Sequence, residues 1–146
     1  MADTTLLSGK VIKQSLAVIQ GRPPADAPKL KRLLLPQGEL AQVHDGEPAI
    51  RYLACIELRP GTIRGNHYHK VKNEFLYLTA GRAVLTVEDC GSGLRESVPL
   101  CAGDLVFIPV GIAHAFQTLE AGQGIEFSTS EFAAADVYFF SLGVER

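Results

Sequence analysis

No apolar run in this chain approaches the roughly 20 residues needed to cross a bilayer, so no membrane span is expected. The opening stretch MADTTLLSGK lacks the basic segment and apolar core of a secretory leader. Basic residues form no block: 14 Lys and Arg stand against 16 Asp and Glu, for a net charge of -2. That balance gives nucleic acid and anionic membrane surfaces nothing to hold. Cysteine is scarce. Cys55, Cys90 and Cys101 are odd in number, widely spaced and without a CxxC pair, which argues against a disulfide framework and for a reducing, cytoplasmic setting. Cys55 lies in an apolar run and reads as a small core residue; Cys90, beside a turn, reads as exposed. A helical period is missing after Ala49.

What is present is short apolar runs broken by turns. The 146 residues, 47% hydrophobic and 21% charged, suit one soluble globular domain. Leu6 to Gln20 is ambiguous between helix and strand, and the proline-rich GRPPADAP, Gly21 to Pro28, reads as an extended connector. Residues 1–32 are therefore expected to form an N-terminal arm with its connector, and 33–146 the main body. Turns are predicted at Pro36-Gln37-Gly38 and, as a hairpin, at Asp45-Gly46. Strands are predicted over Ile50–Leu58, Glu74–Gly81, Arg82–Asp89, Leu94–Leu100, Leu105–Pro109, His114–Leu119, Ile125–Glu131 and Asp136–Leu142. Cys90–Gly93, Ala102–Asp104 and Glu120–Gly124 read as the turns between them. Val, Ile, Leu, Phe, Tyr and Thr dominate the runs, which predicts an all-β sandwich or barrel.

The stretch PGTIRGNHYHKVKNEFLYLTAG, Pro60 to Gly81, holds two of the four histidines. In a strand His67 and His69 point to the same side, about 7 Å apart, and can lean onto one metal ion. Glu74 has the opposite parity and rejoins that side only if KVKN turns the chain. Imidazole with carboxylate suits Zn, Fe, Mn, Ni or Co. In GDLVFIPVGIAHAF, Gly103 to Phe116, a strand enters Pro109, turns at Gly111 and resumes at His114, which in a barrel can supply a fourth ligand. Each element alone has a plainer reading, as a surface pair, a core histidine or an exposed charge. Their joint spacing is what changes the balance.

That spacing resembles the two motifs of the cupin family. Gly61, His67, His69, Glu74 and Gly81 meet the first motif, and Gly103, Pro109, Gly111 and His114 meet the second. Thr118 stands where the second motif has asparagine, a position that the resemblance places in a turn rather than in the ion's shell. The resemblance spans roughly Leu33 to Leu142. It implies a double-stranded β-helix, a jelly-roll barrel, with His67, His69, Glu74 and His114 around one divalent transition metal: Zn, Fe, Mn or Ni. The wording RGNHYHK, Arg64 to Lys70, is similar to two branches of sugar-nucleotide and polysaccharide biosynthesis. One comprises nucleotide-sugar 3,4-ketoisomerases, which use their histidines as acid and base without metal. The other is the cupin portion of capsule-synthesis proteins, which keeps metal and glutamate; Glu74 and His114 favour it.

Strand parity nominates further residues. Tyr52, Ala54, Ile56 and Leu58 share one face, and Leu76 and Leu78 follow Glu74 inward. Phe107 and Phe116 are expected to border the pocket, and Arg64 and Tyr68 to reach a substrate at its rim, with core packing or solvent exposure as the plainer reading of each. Lys70 and Lys72 read as a solvated basic turn. Tyr138, Phe139 and Phe140 either complete the barrel or cover a subunit contact, and the N-terminal arm is expected on the partner sheet of a homodimer. The resulting expectation is a metal-dependent cupin enzyme that isomerises or epimerises a small polar molecule, a sugar derivative or a keto or hydroxy acid. Its rivals are a non-catalytic ligand-binding or sensor cupin, a metal-free ketoisomerase using His67 and His69, and an iron-dependent dioxygenase.

Overall fold

The runs rich in branched and aromatic residues fold as strands in the computed structural model, which describes residues 3–143. In chain order these are β1 Thr4–Leu6, β2 Val11–Ser15, β3 Ala17–Gln20, β4 Lys31–Leu35, β5 Gly38–Gln42, β6 Tyr52–Leu58, β7 Ile63–Tyr68, β8 Glu74–Asp89, β9 Arg95–Cys101, β10 Asp104–Ile108, β11 Ile112–Ser128 and β12 Tyr138–Phe139. A 3-10 turn, Ala134–Asp136, precedes the last strand.

The two long strands organise the rest. β8 and β11 run antiparallel, with Ile112 opposite Asp89 at one end and Phe127 opposite Phe75 at the other. Gly81 and Glu120–Gly124, which read as strand ends in the sequence, are instead bends within continuous strands. The register shifts between Thr118 and Gly124. At Gly81, φ is +90°, and a Cβ would lie 2.7 Å from the carbonyl oxygens of Glu120 and Ala121, so only glycine lets the strands cross so closely. Thr118, assigned to a turn from sequence, sits within β11, because the ladder continues through it.

These bends fold one sheet into two facing halves. β2, β10, the first half of β8, the second half of β11 and β6 form one. β9, the remaining halves of β8 and β11, β7 and β12 form the other. Side chains alternate across each strand. Leu76, Leu78, Val106 and Ile108 from one half therefore meet Leu85, Val87, Leu100, Ile112 and Phe116 from the other. The result is the predicted all-β jelly-roll barrel.

One outer face is covered within the chain. The small sheet β3–β4–β5 belongs to the layer that buries Tyr77, Leu105 and Phe127, with Ala41, Val43, Ile50 and Phe75 packed around them. The β4–β5 hairpin turns at Pro36-Gln37 as expected. Asp45-Gly46 forms no hairpin, because β5 pairs with β4 and β6 pairs with β11. β1 and β2 extend the barrel's own sheet through β10. The expected division at 32/33 falls inside β4, and its outer limits lie outside the described residues. β12 pairs with β7, so the aromatic C-terminal stretch completes the barrel wall. Cys55 is exposed rather than in the core, since it shares the outward face of β6 with Leu53 and Glu57. No helix among the described residues is long and apolar enough to cross a membrane.

Candidate metal centre

β7 carries a bulge that aims its histidines. Ala115 pairs with Gly65 and His114 with His67, leaving Asn66 as the extra residue. Gly65 and Asn66 both take left-handed backbone, at φ +105° and +59°. His67 and His69 then point inward from the end of β7 and the residue after it, as the alternation predicted. Glu74 opens β8, and His114 lies near the start of β11. The loop between His69 and Glu74 docks against the turn of the second motif: Gly111 N–H donates to the His69 carbonyl at 2.8 Å and Val110 N–H to Asn73 Oδ1 at 3.0 Å.

One potential ligand atom from each of His67, His69, Glu74 and His114 lies within 4.8 Å of the others. Ring centroids of His67 stand 5.0 Å from His69 and 4.8 Å from His114. His69, Glu74 and His114 are buried, and His67 is half-buried. The tautomers follow from the outer contacts, because a carbonyl can only accept. His69 Nδ1–H donates to the Asp136 carbonyl at 2.8 Å, and His114 Nδ1–H to the Ile112 carbonyl at 3.1 Å. Both rings therefore present Nε2 to the centre. His114 Nε2 lies 2.7 Å from Glu74 Oε2, and His69 Nε2 is buried without a hydrogen-bond partner among the described residues. An orphaned buried imidazole nitrogen beside a carboxylate and two more imidazoles is the donor set a divalent transition metal fits.

The electrostatics are those of a closely coupled cluster. Burial opposes ionisation of Glu74, but His114 first, then a hydrogen bond with Glu126 and the charge of Lys72, outweigh it and hold that carboxyl well below its usual range. Burial likewise opposes charge on His114, and Glu74 overcomes it and raises the imidazole. His67 falls to about 4 through burial first, then repulsion from His114 and His69.

The quartet floors a cavity of about 120 Å³. Leu76, Phe116 and Arg64, all nominated from sequence, line it, as do Ile56, Phe132 and Val137. Two other nominees do not. Tyr68 points to the opposite face of β7 and stacks on Tyr138 at 5.2 Å, because it alternates with His67 and His69. Phe107 lies under the outer layer against Phe75, 4.8 Å away, for the same reason relative to Val106 and Ile108. His44, the remaining histidine, bonds to the Pro48 carbonyl on that outer side.

Lys72 and Glu126 line the cavity and were missed from sequence. Lys72 is not a solvated turn residue: it is 3% exposed. Its Nζ donates to Glu126 Oε1 at 2.7 Å and to Glu74 Oε1 at 3.4 Å, and lies 4.3 Å from the Tyr52 ring. Burial works against its charge, but Glu126 and Glu74 raise its pKa above the ordinary value. Glu126 is pushed up to about 7 by burial first and by Glu74 next, against the pull of Lys72. Strand pairing was the signal that would have found Glu126, since it sits opposite Leu76 and so shares its inward face.

A family model described as Cupin domain matches residues 54–127, half of the chain. The chain belongs to the cupin family. Among curated cupin relatives, oxalate decarboxylase OxdC of Bacillus subtilis (strain 168) is 38% identical over 78 residues, 51% of this chain and 20% of that protein. A probable oxalate decarboxylase of Arthroderma benhamiae is 35% identical over 81 residues, 53% of this chain and 20% of that one. This cupin thus spans about a fifth of the curated relatives it matches. Among solved structures, dTDP-4-dehydrorhamnose 3,5-epimerase from Sulfolobus tokodaii superposes with a TM-score of 0.75 at 21% identity, covering 100% of this chain and 86% of that one. The capsular polysaccharide assembling protein CapF from Staphylococcus aureus does so at 0.56 and 25% identity, over 62% of this cupin and 26% of that chain.

Proposed function

We propose that this cupin is a metal-dependent enzyme that isomerises or epimerises a small carbonyl compound, a sugar derivative or a keto or hydroxy acid. The observation that carries the reading is the buried, partnerless Nε2 of His69, aimed with two other imidazoles and Glu74 at one point in a cavity. His67, His69, Glu74 and His114 would hold one divalent transition metal, Zn, Fe, Mn or Ni. A cation held there supplies Lewis acidity, polarising a ligand oxygen and stabilising the negative charge that develops on it.

The chain's own groups supply the rest. Glu126 is the carboxylate in the cavity wall that does not belong to the quartet, and it is placed to take a proton from the carbon beside a polarised carbonyl and return it to the neighbouring position or opposite face. Lys72 holds that carboxylate in place by its 2.7 Å bond. Ile56, Leu76, Phe116 and Phe132 make an apolar wall that limits water around the reacting carbon. Arg64, exposed and lining the same cavity, can receive an anionic substituent at the mouth. Three exposed, unpaired cysteines among the described residues support a reducing compartment, the cytoplasm. A homodimer is part of the proposal, supported by an outward β6 face that leaves Leu53 60% exposed. Sedimentation at the mass of a single chain contradicts it.

Proton exchange tests the reaction. Metal-loaded protein is incubated in deuterated water with nucleotide 4-ketosugars and with small keto and hydroxy acids, and deuterium at the carbon next to the carbonyl is followed by NMR. The account expects incorporation that stops on chelation, returns with metal, and is lost in Glu126→Gln. Exchange that persists undiminished without metal instead supports acid–base chemistry by His67 and His69 alone.

A further inference from the structure

The ligand quartet rests on a segment outside both motifs. Asp136, 8% exposed, reaches across 64 to 67 positions of sequence to the loop that joins His69 to Glu74. Its Oδ1 accepts the N–H of Lys70 at 2.9 Å and of Val71 at 3.1 Å, while Oδ2 accepts that of Lys72 at 3.0 Å. Its own carbonyl accepts His69 Nδ1–H. One residue therefore folds the loop with its side chain and fixes a ligand ring with its main chain. The chain after it continues the grip. Tyr138 and Phe139 pair with Tyr68 and His67, and Phe140 N–H donates to the Asn66 carbonyl at 2.8 Å.

We propose that Asp136 is a positioning residue of the centre, and that residues 134–142 form a clasp whose docking and metal binding reinforce one another. The inference rests on the metal-centre reading above. The loop at 69–73 belongs to no strand, and among the described residues it is Asp136 that gathers the three consecutive amides of Lys70, Val71 and Lys72. Without that acceptor the loop leaves the arrangement that faces His69 Nε2 inward, and metal affinity falls by the fraction of time spent elsewhere. Linkage makes the effect mutual: whatever factor the clasp adds to metal affinity, bound metal adds to clasp docking.

The test compares zinc affinity, measured against a competing chromophoric chelator, in the chelator-stripped full chain and its variants. Asp136→Ala is expected to bind zinc about 10- to 100-fold more weakly than the unaltered chain. Asp136→Asn, which keeps one accepting oxygen, should fall between them. Asp104→Ala is the control for stability alone. Asp104 is as buried and accepts from Cys101 N and Ser15 Oγ, yet touches no member of the quartet. It should lower the metal-free melting temperature without changing zinc affinity. Amide exchange supplies the reciprocal reading, with zinc slowing exchange at Val71, Lys72 and Phe140 in the unaltered chain but not in Asp136→Ala. Zinc affinity equal to the unaltered chain in Asp136→Ala overturns the proposal. Should that variant not fold, equal affinity in Asp136→Asn overturns it instead. An unaltered chain that binds no zinc, manganese, iron or nickel overturns both this inference and the reading beneath it.

Discussion

A methyl group on Gly65 would stand 2.5 Å from the His114 carbonyl oxygen, on backbone at φ +105°. Both the strand approach and the bulge that aims His67 depend on the missing side chain. Gly65→Ala is expected to cost about 1–3 kcal/mol from backbone strain alone and to weaken metal binding as His114 is pushed away. Urea unfolding and metal titration of the same sample check it. Lys72 is the other residue whose role is sharply defined, because its buried ammonium contacts both Glu126 and Glu74. Lys72→Met should destabilise the metal-free protein, because Glu126 loses its 2.7 Å partner and Glu74 its 3.4 Å one. Adding Glu126→Gln should restore part of that loss, and a double-mutant cycle in urea reads the difference. If the double variant is no more stable than Lys72→Met, this lysine does not compensate the charge of Glu126.

The outer layer and the long strands show how far sequence carried at the level of elements. Phe127 is 1% exposed and stacks on Phe75 at 4.9 Å beneath the layer that includes β3–β4–β5. Phe127→Ala should cost about 3–5 kcal/mol by calorimetry or urea, yet leave zinc affinity unchanged below the melting transition, since it faces away from the cavity. The quartet was legible because two short motifs fix the spacing of ligands along strands, and alternation then gives their side. The continuity of β8 and β11 was not legible, because glycine marks a bend and a strand end with the same letter. Gly81 and Gly122 read as stops, whereas they are where two backbones cross. Tyr68 and Phe107 were expected at the pocket's rim and border, and alternation puts both outside. Glu126, Lys72 and Asp136 needed strand register and the path of the C-terminal segment, which short-range patterns do not carry.

For the molecule as a whole, the cavity floor, the C-terminal clasp and the second-motif turn converge on one point, so a bound ion should tie the fold together. At a free metal concentration about 1,000 times the dissociation constant, linkage adds about 4 kcal/mol, and chelation should lower the melting temperature by roughly 10 °C. Jelly-roll cupins of this shape include sugar-nucleotide epimerases among solved structures, and that likeness speaks to the barrel, while the chemistry depends on what the quartet holds. The most direct measurement is therefore elemental analysis of protein purified without chelator, alongside His69→Ala. The account predicts about one transition-metal ion per unaltered chain and almost none in the folded variant. Full metal content in His69→Ala, or none in the unaltered chain after reconstitution, would contradict it.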